Sequence, residues 1–442
     1  MNGIRIISIV VFMGSLINPV FSQDRLSLNE AIQMGLQQNI NIQNALLEKS
    51  KINYQLKESQ SKLYPQLEAY SNFNYFYAIP KMVLPGEIFG QTGLLPVEIG
   101  TKYDWSNGFK ATQVLYNQSY FTSLKLSKSM ETFGELSLQQ KKEEVVYQVS
   151  QVYYLCQTTG KQIEQLKLTM QNTDKILEIT KLQNEKGVIR NIDYSRVLVS
   201  KNNLQTQIDN LEQLQQQQFG LLKYCIGLPV EKTLELSDSL SVPLNKHPFG
   251  SPVFSNRTEI ALIEKQIEIN KLKVKINHHA YLPSLTGFGQ FYYQGQQNTI
   301  NYFRSGDEKF FKTGFLGVNL SIPIFDGFEK NAKNNLYKID LQQLENTLKN
   351  THEYFNKEFA DAIRQYQNCL KAIEREQENK KMAEETYTVS LLGYRQQVVP
   401  LTDLLMSENS LTESRLAYYN ALFQLKNAEL ELRKSKGELL NN

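Results

Sequence analysis

Residues 145–177 read VVYQVSQVYYLCQTTGKQIEQLKLTMQNTDKIL. Within them Val145, Val149, Val152, Cys156, Thr159, Ile163, Leu166, Met170, Thr173 and Leu177 succeed one another in alternating steps of four and three. This is a heptad seam: it keeps one stripe of a helix against a neighbour, while Gln, Lys and Glu fill the outer positions. The seam threonines and the abundance of Gln point to coiled-coil packing with wet outer faces. Helical periodicity extends outward from the seam to about residues 119 and 186. A helix of about 68 residues is roughly 100 Å long at 1.5 Å per residue.

The same rhythm returns at Phe355, Phe359, Ala362, Tyr366, Cys369 and Ile373. Other landmarks recur in the same order about 210 residues apart, an interval too long for a solenoid. Leu63-Tyr64-Pro65-Gln66-Leu67 matches Tyr281-Leu282-Pro283-Ser284-Leu285. The run from Gly108-Phe109 to Asn117 matches that from Gly314-Phe315 to Asp326, and Ile192-Asp193-Tyr194 matches Thr402-Asp403-Leu404. Each copy reads as helix, strand, loop, strand, very long helix, turn and return helix. The first copy has helices over about 28–62, 119–186 and 193–226, and the second has helices starting near Thr258, Phe328 and Asp403. The two shorter helices of the first copy sum to the length of the long one, so stacked end to end they would lie beside it. In the second copy they sum to somewhat less, a difference within the error of the boundaries. A long tube wall needs such lengths, and a compact domain does not.

The strands alternate with period two. Leu316, Val318, Leu320, Ile322 and Ile324 are apolar, with Gly317, Asn319 and Ser321 between them. Ala69, Phe73, Tyr75 and Tyr77 oppose Glu68, Tyr70, Asn72 and Asn74, and Trp105, Phe109, Ala111 and Leu115 oppose Ser106, Gly108, Lys110 and Thr112. The fourth strand, from Leu285, is aromatic on both faces. Such alternation over about 10 residues suits a membrane barrel strand, and equally a sheet packed on its own helices. Four strands are too few to close a barrel or cover long helices, so several copies must share one. The stretches 79–104 and 295–313 read as irregular loops.

The net charge of +3 over 442 residues, without a basic stripe, argues against nucleic acid as the main partner. Arg5 followed by an apolar run over 6–17 and Val20-Phe21-Ser22 reads as a secretory signal over 1–22. No later apolar stretch is long enough for a spanning helix. Cys156, Cys225 and Cys369 have neither disulfide nor metal-site spacing, and two of them fall in the heptad seams. Adjacent His278 and His279 point about 100° apart on a helix and fit a surface helix end better than a metal site. No phosphate loop, nucleophile elbow or zinc-protease motif occurs, so the chain is not read as an enzyme and no catalytic residue, metal or cofactor is expected.

Together these features resemble the TolC-type outer-membrane efflux family over nearly the whole chain. The carriers are Leu28-Asn29-Glu30-Ala31-Ile32 with Asn39, the helix-ending Pro65 and Pro283, Leu221-Leu222 with Gly227-Leu228-Pro229, and Asp403-Leu404-Leu405. The resemblance implies an α+β membrane protein built from a duplicated helix–strand–strand–helix unit. Three protomers would form a 12-stranded β-barrel continued by a periplasmic α-helical coiled-coil tunnel. The first repeat would span 23–228, an equatorial segment 229–256 and the second repeat 257–442. It implies a homotrimer in outer-membrane lipid, its helices in the periplasm. The trimer would be a passive exit duct for efflux or type I secretion, served by a periplasmic membrane-fusion adaptor and an inner-membrane pump. The competing reading is a periplasmic coiled-coil scaffold or adaptor without a pore. The resemblance also implies a periplasmic gate at Asp403, with Asp193 its first-copy counterpart and Tyr394 holding the closed state. Met406 stands where some members have a second acid, and Val399 where the best-known member has a basic latch, for which Arg190 or Arg395 would have to substitute. Gln397 replaces the glycine found at Gly187. Adaptor docking is implied at Gly187, Val188, Ile189, Pro400, Leu401 and Thr402. Asp193 and Asp403 could also serve as N-caps of the return helices.

Overall fold

The computed structural model describes residues 25–238, 257–300, 302 and 310–440. The secretory-signal reading and most of the predicted equatorial segment lie outside these residues.

Seven helices build the wall among the described residues. In the first repeat they are α1 (Leu28–Gln38), α2 (Ile40–Ser61), α3 (Gln118–Glu185) and α4 (Asn191–Ile226). The second repeat has α5 (Thr258–His279), α6 (Glu329–Arg395) and α7 (Leu401–Ser435). The heptads are realised: every seam residue of α3 except half-buried Leu177 is buried, as are all six of α6. α2 runs beside the first part of α3, with Lys49 2.9 Å from Glu135. α4 runs beside the second part, with Lys167 2.6 Å from Glu212 and Lys201 2.7 Å from Asp174. α3 also packs against α5 and α7, so it is the spine on which the two repeats meet.

Two helix expectations are corrected. The continuous helix over 28–62 breaks at Asn39, whose extended backbone (φ −63°, ψ 128°) lets its side chain accept from Asn41 N at 2.8 Å and cap α2. The length mismatch of the second copy is not a boundary error. α2 and α5 have 22 residues each and end four residues before Pro65 and Pro283. The difference is α1, 11 residues opened by a Ser27–Glu30 capping box, which has no counterpart among the described residues.

β2 (Gln66–Tyr75), β5 (Tyr103–Tyr116), β7 (Ser284–Gln297) and β8 (Phe310–Ser321) form one antiparallel sheet in the order β2-β5-β7-β8. A second, parallel pair joins β1 (Arg25–Leu26) to β6 (Glu235–Leu236). Register sorts the large sheet's faces. Leu67, Phe73, Phe109, Phe291, Leu316, Val318 and Leu320 lie on one face and are largely exposed. Glu68, Asn72, Asp104, Lys110, Gln290 and Gln294 lie on the other, where Gln294 donates to Asp104 at 2.6 Å. The two-sided aromatic pattern of β7 follows from pairing. Phe288 lies over Gly317 and Tyr292 over Gly108 on the polar face, while Phe291 covers Gly314 on the apolar one. β8 stops at Ser321, short of Ile322 and Ile324, because Pro323 has no N–H to extend a ladder. Asn117 and Asp326 turn strand into helix, accepting from Tyr120 N at 2.9 Å and from Phe328 N at 3.1 Å.

The stretch 79–104 is not irregular. β3 (Lys81–Pro85) pairs with β4 (Leu94–Glu98) around a short 3₁₀ turn. Proline and glycine frequency hid the alternation of Met82, Leu84, Leu95 and Val97. Gly295 to Gln297 and Phe310 to Thr313, assigned to the second loop, belong to β7 and β8.

Candidate gate at the helical tips

At the end remote from the sheet, two helix–turn–helix tips share one backbone design. α3 closes with Gly187 in the left-handed region (φ 71°), Val188 N donating to Gln183 O at 2.8 Å. α6 closes with Gln397 at φ 63°, Val398 N donating to Gly393 O at 2.9 Å. These are paired C-terminal motifs, but a side chain at φ > 0 carries about 1 kcal/mol of strain that glycine avoids. Arg190 and Pro400 then take extended backbone as N-caps of α4 and α7.

This placement corrects the capping reading of the aspartates. Asp193 and Asp403 are third helical residues, not N-caps, and their charge faces the positive end of the helix dipole. Beyond that their surroundings diverge. The Asp193 carboxylate accepts from Arg190 Nε at 3.2 Å and from Arg196 Nη1 at 3.4 Å, with its side chain 17 % exposed. Asp403 is exposed, and the contact described for it is the Thr402 hydroxyl at 3.3 Å. Of these two aspartates, the one without an ion pair among the described residues is that of the second tip.

Tyr394 crosses between the tips, donating its hydroxyl to Gln183 Oε1 at 3.2 Å. Burial, with the nearby charge of Asp193, pushes its phenol above the ordinary value. Gln183 is thus a partner of Tyr394 that sequence reasoning missed; only its position one tip-interval from Gly393 marks it. Val399, where a basic latch was sought, packs on Gly393: a Cβ there would lie 2.5 Å from Val399 Cγ2. Arg190, one substitute for that latch, is engaged by Asp193. Of the docking candidates Gly187, Val188, Pro400 and Thr402 are exposed, Ile189 is half-buried and Leu401 is buried beside Leu404 and Tyr387. Val398 and Met406, 76 % and 71 % exposed, add apolar surface.

The other polar candidates sit elsewhere. His279 Nδ1 is 2.7 Å from the Thr122 hydroxyl and His278 is exposed at a helix end. The three cysteines are free and buried, and burial pushes the Cys156 thiol up to about 12. No group of three or more metal-ligating side chains occurs among the described residues.

Residues 253–438 match the family model described as outer membrane efflux protein. The fold matches the CmeC outer membrane channel of Campylobacter jejuni with a TM-score of 0.76 at 16 % identity, covering 93 % of this chain and 85 % of that one. It matches the Vibrio cholerae outer membrane protein VceC at 0.73 and 14 % identity, covering 93 % and 96 %. It also matches the open state of the MtrE outer membrane channel of Neisseria gonorrhoeae at 0.75 and 16 % identity, covering 93 % and 88 %. No curated protein matches the chain. Residues 253–438 thus carry the sequence pattern of the outer membrane efflux protein family, and the described length has the fold of outer membrane channels.

Proposed function

We propose that three copies of this chain form a passive exit duct, loaded by an inner-membrane pump through a periplasmic adaptor in efflux or type I secretion. The observation that carries this reading is the sheet with both edges open. Among the described residues β2 and β8 each offer an unpaired backbone edge, and four strands cannot close on themselves. Three such sheets joined β8 to β2 give a 12-stranded barrel. Its apolar face then meets lipid and its polar face lines the lumen. The repeats at 23–228 and 257–442 supply the tunnel wall, with 229–256 joining them at the equator. At the tips Asp403 supplies one carboxylate per protomer to a ring that attracts cations. Asp193 is neutralised within its own tip, and Tyr394 holds the tips together. The exposed tip residues Gly187, Val188, Pro400 and Thr402 meet the adaptor.

A scaffold without a pore would leave the largely exposed apolar face of the sheet unused. The test is extraction into detergent followed by mass measurement and single-channel recording in a planar bilayer. A trimer passing small, cation-sensitive currents supports the duct. A stable monomer soluble without detergent refutes it.

A further inference from the structure

The seam between α7 and α3 is polar where it approaches the tips. Glu408 on α7 is 3 % exposed. Its Oε1 accepts from the Thr173 hydroxyl at 3.0 Å, and the Thr169 and Thr412 hydroxyls meet nearby at 3.3 Å. Glu408 Oε2 is buried without a hydrogen-bond partner. On α3, Thr173 falls between Met170 and Ile176, which belong to two separate apolar clusters. The carboxyl therefore sits between two apolar clusters in the contact between the two repeats.

The charged and titratable surroundings give it little help. From α3 come the hydroxyls of Thr169 and Thr173. From α6 comes Tyr387, 7 % exposed, its own hydroxyl buried without a partner. Arg395 and Arg415 act on Tyr387, and Arg415 is held by Glu384 at 3.0 Å. No ion pair reaches Glu408 among the described residues. An ionised carboxylate in such a place loses its water and gains no cation, so the neutral acid is favoured.

We propose that Glu408 is a proton-binding site that fastens the second tip to the first. As the neutral acid it lets α7 pack on α3. When it gives its proton to water, a bare charge enters the seam and the contact between the tip hairpins loosens. Burial pushes this carboxyl up to about 7, opposed in part by the Thr173 hydrogen bond. Because the folded value exceeds the ordinary 4.5, the site's stabilisation is complete below about pH 4.5. It is lost as pH rises through about 7, and it changes no further above that.

The test compares the full-length protein with Glu408→Gln, which keeps size and neutrality. Between about pH 5 and pH 8 the wild-type unfolding equilibrium should shift toward unfolding by roughly 10²-fold relative to the variant. Infrared spectra of the wild type near pH 6 should show a carboxylic-acid carbonyl band that Glu408→Gln lacks. Equal pH profiles, or no such band, overturn the site; the infrared measurement decides even if the variant folds poorly. The link to opening rests on the duct reading. Wild-type current should rise between pH 6 and pH 8 while Glu408→Gln stays near its low-pH level. Currents that follow pH equally in both overturn the coupling. No current at any pH, with the difference in unfolding intact, upholds the proton site and faults the duct.

Discussion

Arg257 is the sharpest test of how the start of the second repeat is held to the long helices. It is 3 % exposed, at the N-cap of α5, with its guanidinium 3.7 Å from the Phe355 ring. Nε and Nη2 donate to Glu259 at 3.1 and 3.2 Å, and Nη1 donates to Glu358 at 2.9 Å and to Lys434 O at 3.1 Å. One side chain thus ties the start of α5 to the middle of α6 and the end of α7. Breaking a buried ion pair costs about 3–5 kcal/mol. Glu259 and Glu358 keep 31 % and 20 % side-chain exposure, so water can reach the orphaned carboxylates and the lower end applies, about 3 kcal/mol. With unfolding entropy near 2.1 cal/mol/K per residue over about 400 residues, Arg257→Ala should lower the melting temperature by about 4 °C. Arg257→Lys should lose about half as much, since an ammonium cannot bridge three acceptors in one plane. Melting of the detergent-solubilised protein followed by circular dichroism reads both. A fall under about 1 °C for the alanine variant, or a lysine variant equal to wild type, would refute the clamp.

At the second tip, Gln397→Gly relieves left-handed strain and should stabilise by about 0.5–1 kcal/mol; a lower melting temperature would show that the Gln397 side chain makes a contact outweighing the strain. Asp403→Asn should weaken block of single-channel current by divalent cations, while Asp193→Asn, whose carboxylate is already paired, should not. Equal loss in the two variants would contradict the division between tips. Leu316→Arg, at a 91 % exposed position on the apolar face of β8, should cost about 2–4 kcal/mol in the membrane and reduce trimer in outer-membrane extracts. Undiminished trimer would place that face away from lipid. Together with Glu408→Gln, these separate the wall, the tip and the membrane face by assay.

Long-range organisation was readable in the sequence wherever it rested on a repeated period. The α3 seam from Val145 to Thr173, the second seam from Phe355 to Ile373 and the alternation of β8 are one-dimensional signals. The packing obeys them because a heptad or a pleat admits one buried stripe or face. Single-residue events were not legible. Asn39 breaks a helix because its amide can cap the next one. Pro323 ends a strand by lacking a donor. β3 and β4 were concealed by the glycines and prolines that surround them. At the tip, sequence matching named Asp193, Asp403 and Tyr394 as candidates, but the Arg190–Asp193–Arg196 arrangement depends on rotamers. Glu408 was invisible, since a glutamate among Gln and Lys looks solvated until the neighbouring helix is in place.

The two tips are copies in backbone and opposites in fastening, which bears on how such a duct would open. The first tip turns through a relaxed Gly187, and Arg190 and Arg196 hold Asp193 in place. The second turns through a strained Gln397, leaves Asp403 exposed and joins its neighbour through Tyr394, the Glu408 seam and an apolar cluster in which Leu401, Leu404 and Leu411 pack with Ile176 and Val197. A neutral hydrogen bond such as Tyr394 to Gln183 contributes about 1 kcal/mol, and the strain opposing it has about the same size. Each buried side chain of the cluster shared by the tips is worth about 1.5–3 kcal/mol, so separating the tips outright costs far more than either term. The inexpensive displacement is therefore one that trades the Tyr394 bond against the Gln397 strain while the shared cluster stays packed. An equilibrium poised by terms this small needs only a few kcal/mol of differential affinity from a partner to invert. The wall can meanwhile keep its register along its whole length.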